Sequence, residues 1–263
     1  PFMQDWMKIS PEIVFEKEIA ILEKALQENA DVMKRAFTAS DVEENLRNGL
    51  MSAIFTIEGP AGFGFDPGRL EGLYQKGFRI TSLGWNEKNP LAGSNVTGGG
   101  LTDLGREYIK EAQRLGMIID VSHISDEAFW DIMDITQAPV VATHSNSRVI
   151  CGHSRNLTDD MFREICKTGG VAGFNQYDAF VGNQPDMQTV CQHFLHFMEL
   201  DPDAKHIALG GDLDGCESMS EGFTGVESYP KLADHLLMSG LSEDNLYDIY
   251  WNNALGVMKR CCI

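Results

Sequence analysis

Short apolar runs alternate with longer amphipathic stretches along most of this chain. Residues 12–29 carry apolar side chains at Ile13, Ile19, Ile21, Leu22, Ala25 and Leu26, close to the helical repeat, and the first 48 residues read as helix. Ser40-Asp-Val-Glu43 has the form of a capping box and opens a second short helix that Gly49 stops. From there a rhythm of strand and helix begins. Six β-rich runs predict strands, at 52–57, 78–83, 117–121, 139–143, 170–174 and 206–210. Leu101, Leu104, Tyr108, Ala112 and Leu115 share one face of a helix that Gly116 ends. Ser125, Thr158 and Ser242, each followed by acids, predict helix N-caps with the first turn charged to suit the helix dipole. Near-continuous apolar strands between amphipathic helices imply a parallel sheet covered by helices.

A (β/α)8 barrel of the TIM type needs eight strands in about 250 residues. Six fall here, and the helical start puts the missing first one or two strands ahead of residue 1. The alternative is an open sheet of six strands. No Pro-, Ser- or Gly-rich linker divides the chain, so residues 1–263 are expected to form a single, N-terminally incomplete barrel domain. Residues 89–100, with Gly98-Gly-Gly100, read as a loose loop on the rim.

Composition narrows the function. A formal charge of −18 and a pI near 4.7 argue against nucleic acid or anionic lipid as partner, because both need a basic surface. No uncharged apolar stretch approaches the roughly 18 residues of a membrane helix, and no signal-peptide pattern is visible at the N-terminus. The six cysteines form no C-x-x-C pair. They are expected to be reduced thiols in a cytoplasmic protein, with Cys261 and Cys262 in a frayed tail. A homodimer is compatible with all of this.

Functional residues of parallel βα folds gather at the C-terminal ends of the strands. Glu58-Gly59 follows the first run, Ser122-His123 the third and His144-Ser145 the fourth; Asp212-Leu-Asp214-Gly215 follows the last. Alone, each has a plain reading: a hydrogen-bonded structural histidine, a loop-capping Glu58, a turn-forming Asp212 or Asp214. Together, two histidines and a carboxylate make a common shell for catalytic zinc with a position left for water. Such a metal lowers the pKa of that water and polarises a carbonyl, and the last carboxylate can serve as base and acid. That set suits hydrolysis of an amide. Arg155 could hold a carboxylate through its planar fork, a surface ion pair being its default reading. His193 and His196, with Cys191 nearby, are expected on a solvated helix face. No G-x-S-x-G, H-E-x-x-H or P-loop occurs.

Ile57-Glu58-Gly59, the segment 115–125 ending Asp120-Val-Ser-His123-Ile-Ser125, Ala142-Thr-His144-Ser145, Arg155-Asn156-Leu-Thr-Asp159 and Gly210-Gly-Asp212-Leu-Asp214-Gly215 resemble the membrane (renal) dipeptidase family and its bacterial relatives. The likeness runs in order from about residue 12 to the C-terminus. It implies an amidohydrolase-type barrel, a two-zinc centre and a dipeptide substrate. By the same likeness Glu58 bridges the metals, His123 and His144 complete the second site, and Asp212 is the acid–base residue. Arg155 would grip the substrate carboxylate, with Asn156 and Trp85 also on the substrate side. Two departures stand out. The family's first strand carries H-x-D, whose residues bind the first zinc, and no H-x-D occurs here, so one zinc is expected for the chain as given. Trp85-Asn86 stands where a family member has a substrate-contacting histidine. The expected activity is zinc-dependent dipeptide hydrolysis, with a non-catalytic or one-metal relative that binds a ligand or partner as the alternative.

Overall fold

The computed structural model describes residues 10–262. It is an α/β structure whose chain divides into two compact units, residues 10–137 with 258–262, and residues 138–257.

The first unit opens with α1 (Pro11–Glu28), which carries Pro just inside its start. Val14, Phe15 and Ile19 are half-buried, while Ile13, Ile21 and Leu22 face outward. Phe15 packs its ring on Phe63 and Phe78, at 5.7 and 5.9 Å. The region read as helix throughout contains a strand. β1 (Met33–Arg35) pairs in parallel with β2 (Met51–Ala53), register Met33↔Met51. Three residues are too few for a period-2 pattern to show, and the partner's backbone decides the conformation. Between them lies α2 (Ala39–Arg47), capped by Thr38 and not Ser40. Asp41 N–H donates to Thr38 Oγ1, and the Asp41 carboxylate accepts from Thr38 N–H at 2.9 Å. The predicted strand 52–57 breaks at Ile54, and its second half is β3 (Phe55–Ile57). The described residues thus hold eight strands, not six.

A second parallel ladder joins β3, β4 (Phe78–Ser82) and β5 (Ile118–Asp120). α3 (Leu70–Gln75), α4 (Asp103–Leu115) and α5 (Asp126–Ile135) complete the unit. Thr102 and Ser125 are N-caps, and Gly116 is left-handed after α4. Tyr108 of α4 is fully buried, and its hydroxyl meets Thr81 Oγ1 at 2.7 Å. Burial pushes that phenol's pKa up. Residues 89–100 are not loose. Asn89 Oδ1 accepts from Leu91 and Ala92 N–H, Ser94 Oγ donates to Asn86 O, and Ala92 bridges Leu101. Side-chain hydrogen bonds supply here the order that apolar packing supplies elsewhere. The predicted frayed tail is also packed: Cys261 and Cys262 are buried, and the Cys262 thiol faces Gly116 O at 3.8 Å.

The second unit contains β6 (Val140–Val141), α6 (Asp159–Thr168), β7 (Ala172–Asn175), α7 (Asp178–Val181), α8 (Met187–Leu200), β8 (Ile207–Gly211), α9 (Tyr229–Met238) and α10 (Glu243–Tyr247). Thr158 and Ser242 cap α6 and α10. α11 (Asn253–Cys261) then leads the chain back to the first unit. β7 and β8 pair in parallel, and Ala142 bridges Ala172 in the same sense. Phe162 stacks on Phe197 at 4.2 Å and Phe174 on Phe194 at 4.9 Å, filling the space under the helices. The Thr143 carbonyl sits so close to β7 and β8 that a Cβ at Gly173 or Gly210 would come within 2.2 Å of its oxygen. Ser145 N–H donates to Gly173 O at 2.8 Å, holding the segment after β6 against β7.

Among the described residues no helix is long and apolar enough to cross a membrane. Gly173→Ala should cost about 3 kcal/mol, since backbone and not a flexible side chain must give way. Gly152→Ala, with nothing within 4 Å, should change stability by less than about 0.5 kcal/mol. Denaturant unfolding of both variants checks the contrast.

Candidate metal centre

In the first unit the chain leaves β3 at Ile57 and presents Glu58. Gly59 then turns at φ +83°, a conformation that favours glycine, and its N–H donates to Ser82 Oγ at 2.9 Å. Ser82 Oγ in turn donates to Gly84 O at 3.0 Å. At the end of β5 Asp120 Oδ1 accepts from Ser122 N–H and Oγ–H, at 3.0 and 2.6 Å, shaping the turn that delivers His123. His123 Nε2 lies 2.9 Å from Glu58 Oε1, and His123 Nδ1 lies 3.0 Å from Asn86 Oδ1. The imidazole is buried, whereas the Glu58 side chain is 48% exposed and lines a cleft of about 630 Å³ with Phe15, Glu18 and Ile57. Trp85 is exposed, its ring 6.2 Å from that of His123.

In the second unit His144 is buried after β6, with Nδ1 2.7 Å from Thr143 Oγ1. Asp212 follows β8 at φ +60°, uncommon for a non-glycine residue and a frequent mark of a constrained functional position. Asn175, at the end of β7, links the two. Its Nδ2 donates to Asp212 Oδ2 at 2.9 Å and approaches His144 O at 3.4 Å. Asp212 O accepts from Gly215 N–H and the Cys216 thiol. Burial, then the Asp212 and Asp178 charges, push the pKa of Cys216 up to about 12, so it remains a protonated donor. Asp214 is exposed, and Asp212 is the anchored carboxylate of the two.

Arg155 is buried, with its guanidinium 3.4 Å from Ser145 Oγ and from His144 O, and 5.4 Å from the centre of the Phe180 ring. Asn156 donates its amide group to Cys151 O and Phe180 O, both at 2.8 Å, and its side-chain carbonyl accepts from Asn146 N–H. It therefore shapes the loop that carries Arg155. Asn175 escapes the sequence reading, and Asn86 enters it only beside Trp85, with no contact to His123 foreseen, because amides fall outside the ligand and acid–base residue types on which that reading rests. Their place at or just beyond the ends of predicted strands is the signal that could find them.

His193 does not sit on a solvated face. It is fully buried on α8, bonded to Ser147 N–H and Val181 O. Burial lowers its pKa to about 4. His196 pairs with Asp159 at 2.8 Å.

Residues 13–261 match the family model for membrane dipeptidases, peptidase family M19. The chain belongs to this family. An uncharacterised protein of the pqqA 5′ region of Klebsiella pneumoniae is 32% identical to it, over 93% of this chain and 94% of that protein. An uncharacterised dipeptidase of Schizosaccharomyces pombe is 35% identical over 81% of this chain, which spans only 54% of that protein's length. Among solved structures, a Rhodobacter sphaeroides metallopeptidase, liganded with a phosphinate mimic of L-Ala-D-Ala, matches with a TM-score of 0.82 at 28% identity. That match covers 87% of this chain and 69% of the other. The probable dipeptidase PvdM of Pseudomonas aeruginosa, at 16% identity and a TM-score of 0.89 over 94% of this chain and 78% of that one, supports the fold alone. This M19 chain thus shares the α/β barrel fold of these structures, and its family is one of metal-dependent peptidases.

The His193 ring should make stability pH-dependent. Its folded pKa lies below the ordinary value of 6.5, so between about 6.5 and 4 the unfolded chain binds the extra proton. Stability is therefore lost as pH falls through that window, by on the order of 3 kcal/mol from this group. Unfolding free energies measured from pH 7 to 4 should fall less steeply in His193→Gln than in the parent chain. Identical slopes would assign the acid sensitivity elsewhere.

Proposed function

We propose that this chain is the catalytic body of a metal-dependent dipeptidase in which Glu58, His123 and His144 hold one zinc ion. The observation that carries the reading is the convergence of Glu58 Oε1 and His123 Nε2 beside an open cleft, from the ends of two strands of one ladder. A carboxylate and imidazoles are the donor set of a catalytic zinc site, so the residues present fit the ion. His144 supports it in the same chemical terms. Its Nδ1 is engaged by Thr143, which leaves Nε2 as the ligand nitrogen. When bound, zinc lowers the pKa of a water and polarises the scissile carbonyl.

The chain's own residues do the remaining work. Asp212 takes the proton of the attacking water and returns it to the leaving amine, while Asn175 holds its Oδ2. Arg155 reads the C-terminal carboxylate of the dipeptide. Its buried, permanently charged planar fork suits two parallel hydrogen bonds, and it stands beside the carbonyl of His144. Asn156 supports that loop, and Trp85 offers an apolar face beside His123. The H-x-D pair of the family's first zinc does not occur in these 263 residues, so the reading covers only the ion that Glu58, His123 and His144 would hold.

Elemental analysis of the zinc-loaded chain should give one ion, lost in His123→Ala and in His144→Ala. A panel of dipeptides should be hydrolysed, with activity removed by a chelator and restored by zinc. Asp212→Asn should keep the metal and lose on the order of 10²–10⁴ in turnover, because an amide cannot cycle a proton. Full turnover in that variant would move the acid–base role to another group. Arg155→Lys should raise KM for dipeptides by roughly 10- to 100-fold, from about 1.5–3 kcal/mol of charged hydrogen bonding, and far less for C-terminally amidated analogues. Equal effects on both substrates would give Arg155 a structural role only.

A further inference from the structure

The segment after β4 carries a residue that neither the acid–base scheme nor the metal-ligand set uses. Asn86 places its side-chain oxygen 3.0 Å from His123 Nδ1. The contact is braced from behind. Ser94, itself buried, donates its hydroxyl to Asn86 O at 3.0 Å, and the same hydroxyl accepts from Val96 and Thr97 N–H. The next residue, Asn95, donates its N–H to His123 O at 2.9 Å, and Ser94 bridges Ile124. At its start the segment is held by Ser82 Oγ on Gly84 O, where an added Cβ would strike Asn89 Nδ2 at 2.2 Å. The loop 84–97 therefore grips His123 twice, by its backbone carbonyl and by its ring nitrogen.

An imidazole can present a lone pair only from the nitrogen that carries no hydrogen. An amide oxygen facing Nδ1 accepts a hydrogen there. The ring must then turn Nε2 toward Glu58, which is where it lies. We propose that Asn86 is a positioning residue of the metal centre: its oxygen selects the Nδ1–H form of His123 and fixes the ring plane, so that Nε2 is the nitrogen offered beside Glu58. This rests on the reading of Glu58 and His123 as ligands given above, and it adds a residue on which the affinity of that centre depends. Partners of this kind, one hydrogen bond removed from the metal ligand, typically change metal affinity by about 10- to 100-fold when lost.

The test uses the whole chain, zinc as the probe, and two variants. Asn86→Leu removes the acceptor at similar size, and Asn86→Asp restores one. Zinc affinity is measured by competition with a chelating dye. The ring nitrogen of His123 that carries hydrogen is located in the zinc-loaded chain by long-range ¹H–¹⁵N correlation, because without the ion the Glu58 carboxylate competes for that hydrogen at Nε2. The proposal expects Nδ1–H in the parent chain and in Asn86→Asp. It expects a mixture of ring forms and roughly 10- to 100-fold weaker zinc binding in Asn86→Leu, with Asn86→Asp within a few fold of the parent. Parent-like zinc affinity in Asn86→Leu would overturn it, as would equal losses in both variants, which mark a structural loop and nothing more. Should Asn86→Leu fail to fold, the parent ring spectrum and Asn86→Asp decide, and an Nε2–H ring in the parent chain refutes the proposal without any variant. A parent chain that takes up no zinc ends the ligand reading itself and this role with it. That outcome is distinct from a zinc-binding chain indifferent to residue 86.

Discussion

One buried hydroxyl ties together the polar turns of the first unit. Ser82 Oγ accepts from Gly59 N–H and donates to Gly84 O, so the turn that presents Glu58 and the turn that leads to Trp85 and Asn86 share a single anchor at the end of β4. A hydroxyl has one hydrogen to give, and here it is committed to Gly84 O while one lone pair receives Gly59. The two turns also lie close together: a Cβ on Gly59 would be in van der Waals contact with Trp85 N at 3.4 Å. The Glu58–His123 distance follows from that anchor, together with the Asp120–Ser122 turn at the end of β5.

The second unit solves the same problem with an amide and close backbone approach. Asn175 spans from His144 O to Asp212 Oδ2, and the Thr143 carbonyl beds against Gly173 and Gly210 where any side chain would collide. Oriented polar groups of this kind cost stability unless every partner is in place, and the left-handed backbone at Asp212 adds to that cost. The hydrogen bonds from Gly215, Cys216 and Asn175 offset it. A carboxylate held in this way keeps a fixed geometry, which is what proton transfer to and from a bound substrate requires.

Much of this arrangement is legible in the sequence, because polar residues directly after apolar runs declare the strand ends. Glu58 does follow β3, and Asp212 follows β8; His123 and His144 come within three residues of β5 and β6. The caps at Ser125, Thr158 and Ser242 are legible for a similar reason, since a side-chain oxygen three residues ahead of a backbone N–H is a local signal. What escapes is non-local. β1 exists only because β2 lies beside it, and no pattern within Met33–Arg35 announces that. The glycine-rich segment 89–100 reads as loose because its order comes from Asn89 and Ser94 folding back on the local backbone. His193 and the cysteine pair at 261 and 262 read as surface because burial is decided by what packs over them.

The path of the chain between the units bears on how the protein is made. The first unit takes in residues 258–262 after an excursion through the second, 138–257. Those late residues are structural parts of it: Lys259 pairs with Glu43, and Gly116 lies so near Cys261 O that an added Cβ would sit 2.6 Å from it. During synthesis the second unit is therefore complete in sequence before the first can close. Until α11 emerges from the ribosome, the surface around Gly116 stays uncovered. The half that holds Glu58 and His123, although the earlier to be translated, is thus completed only by residues made after the second unit.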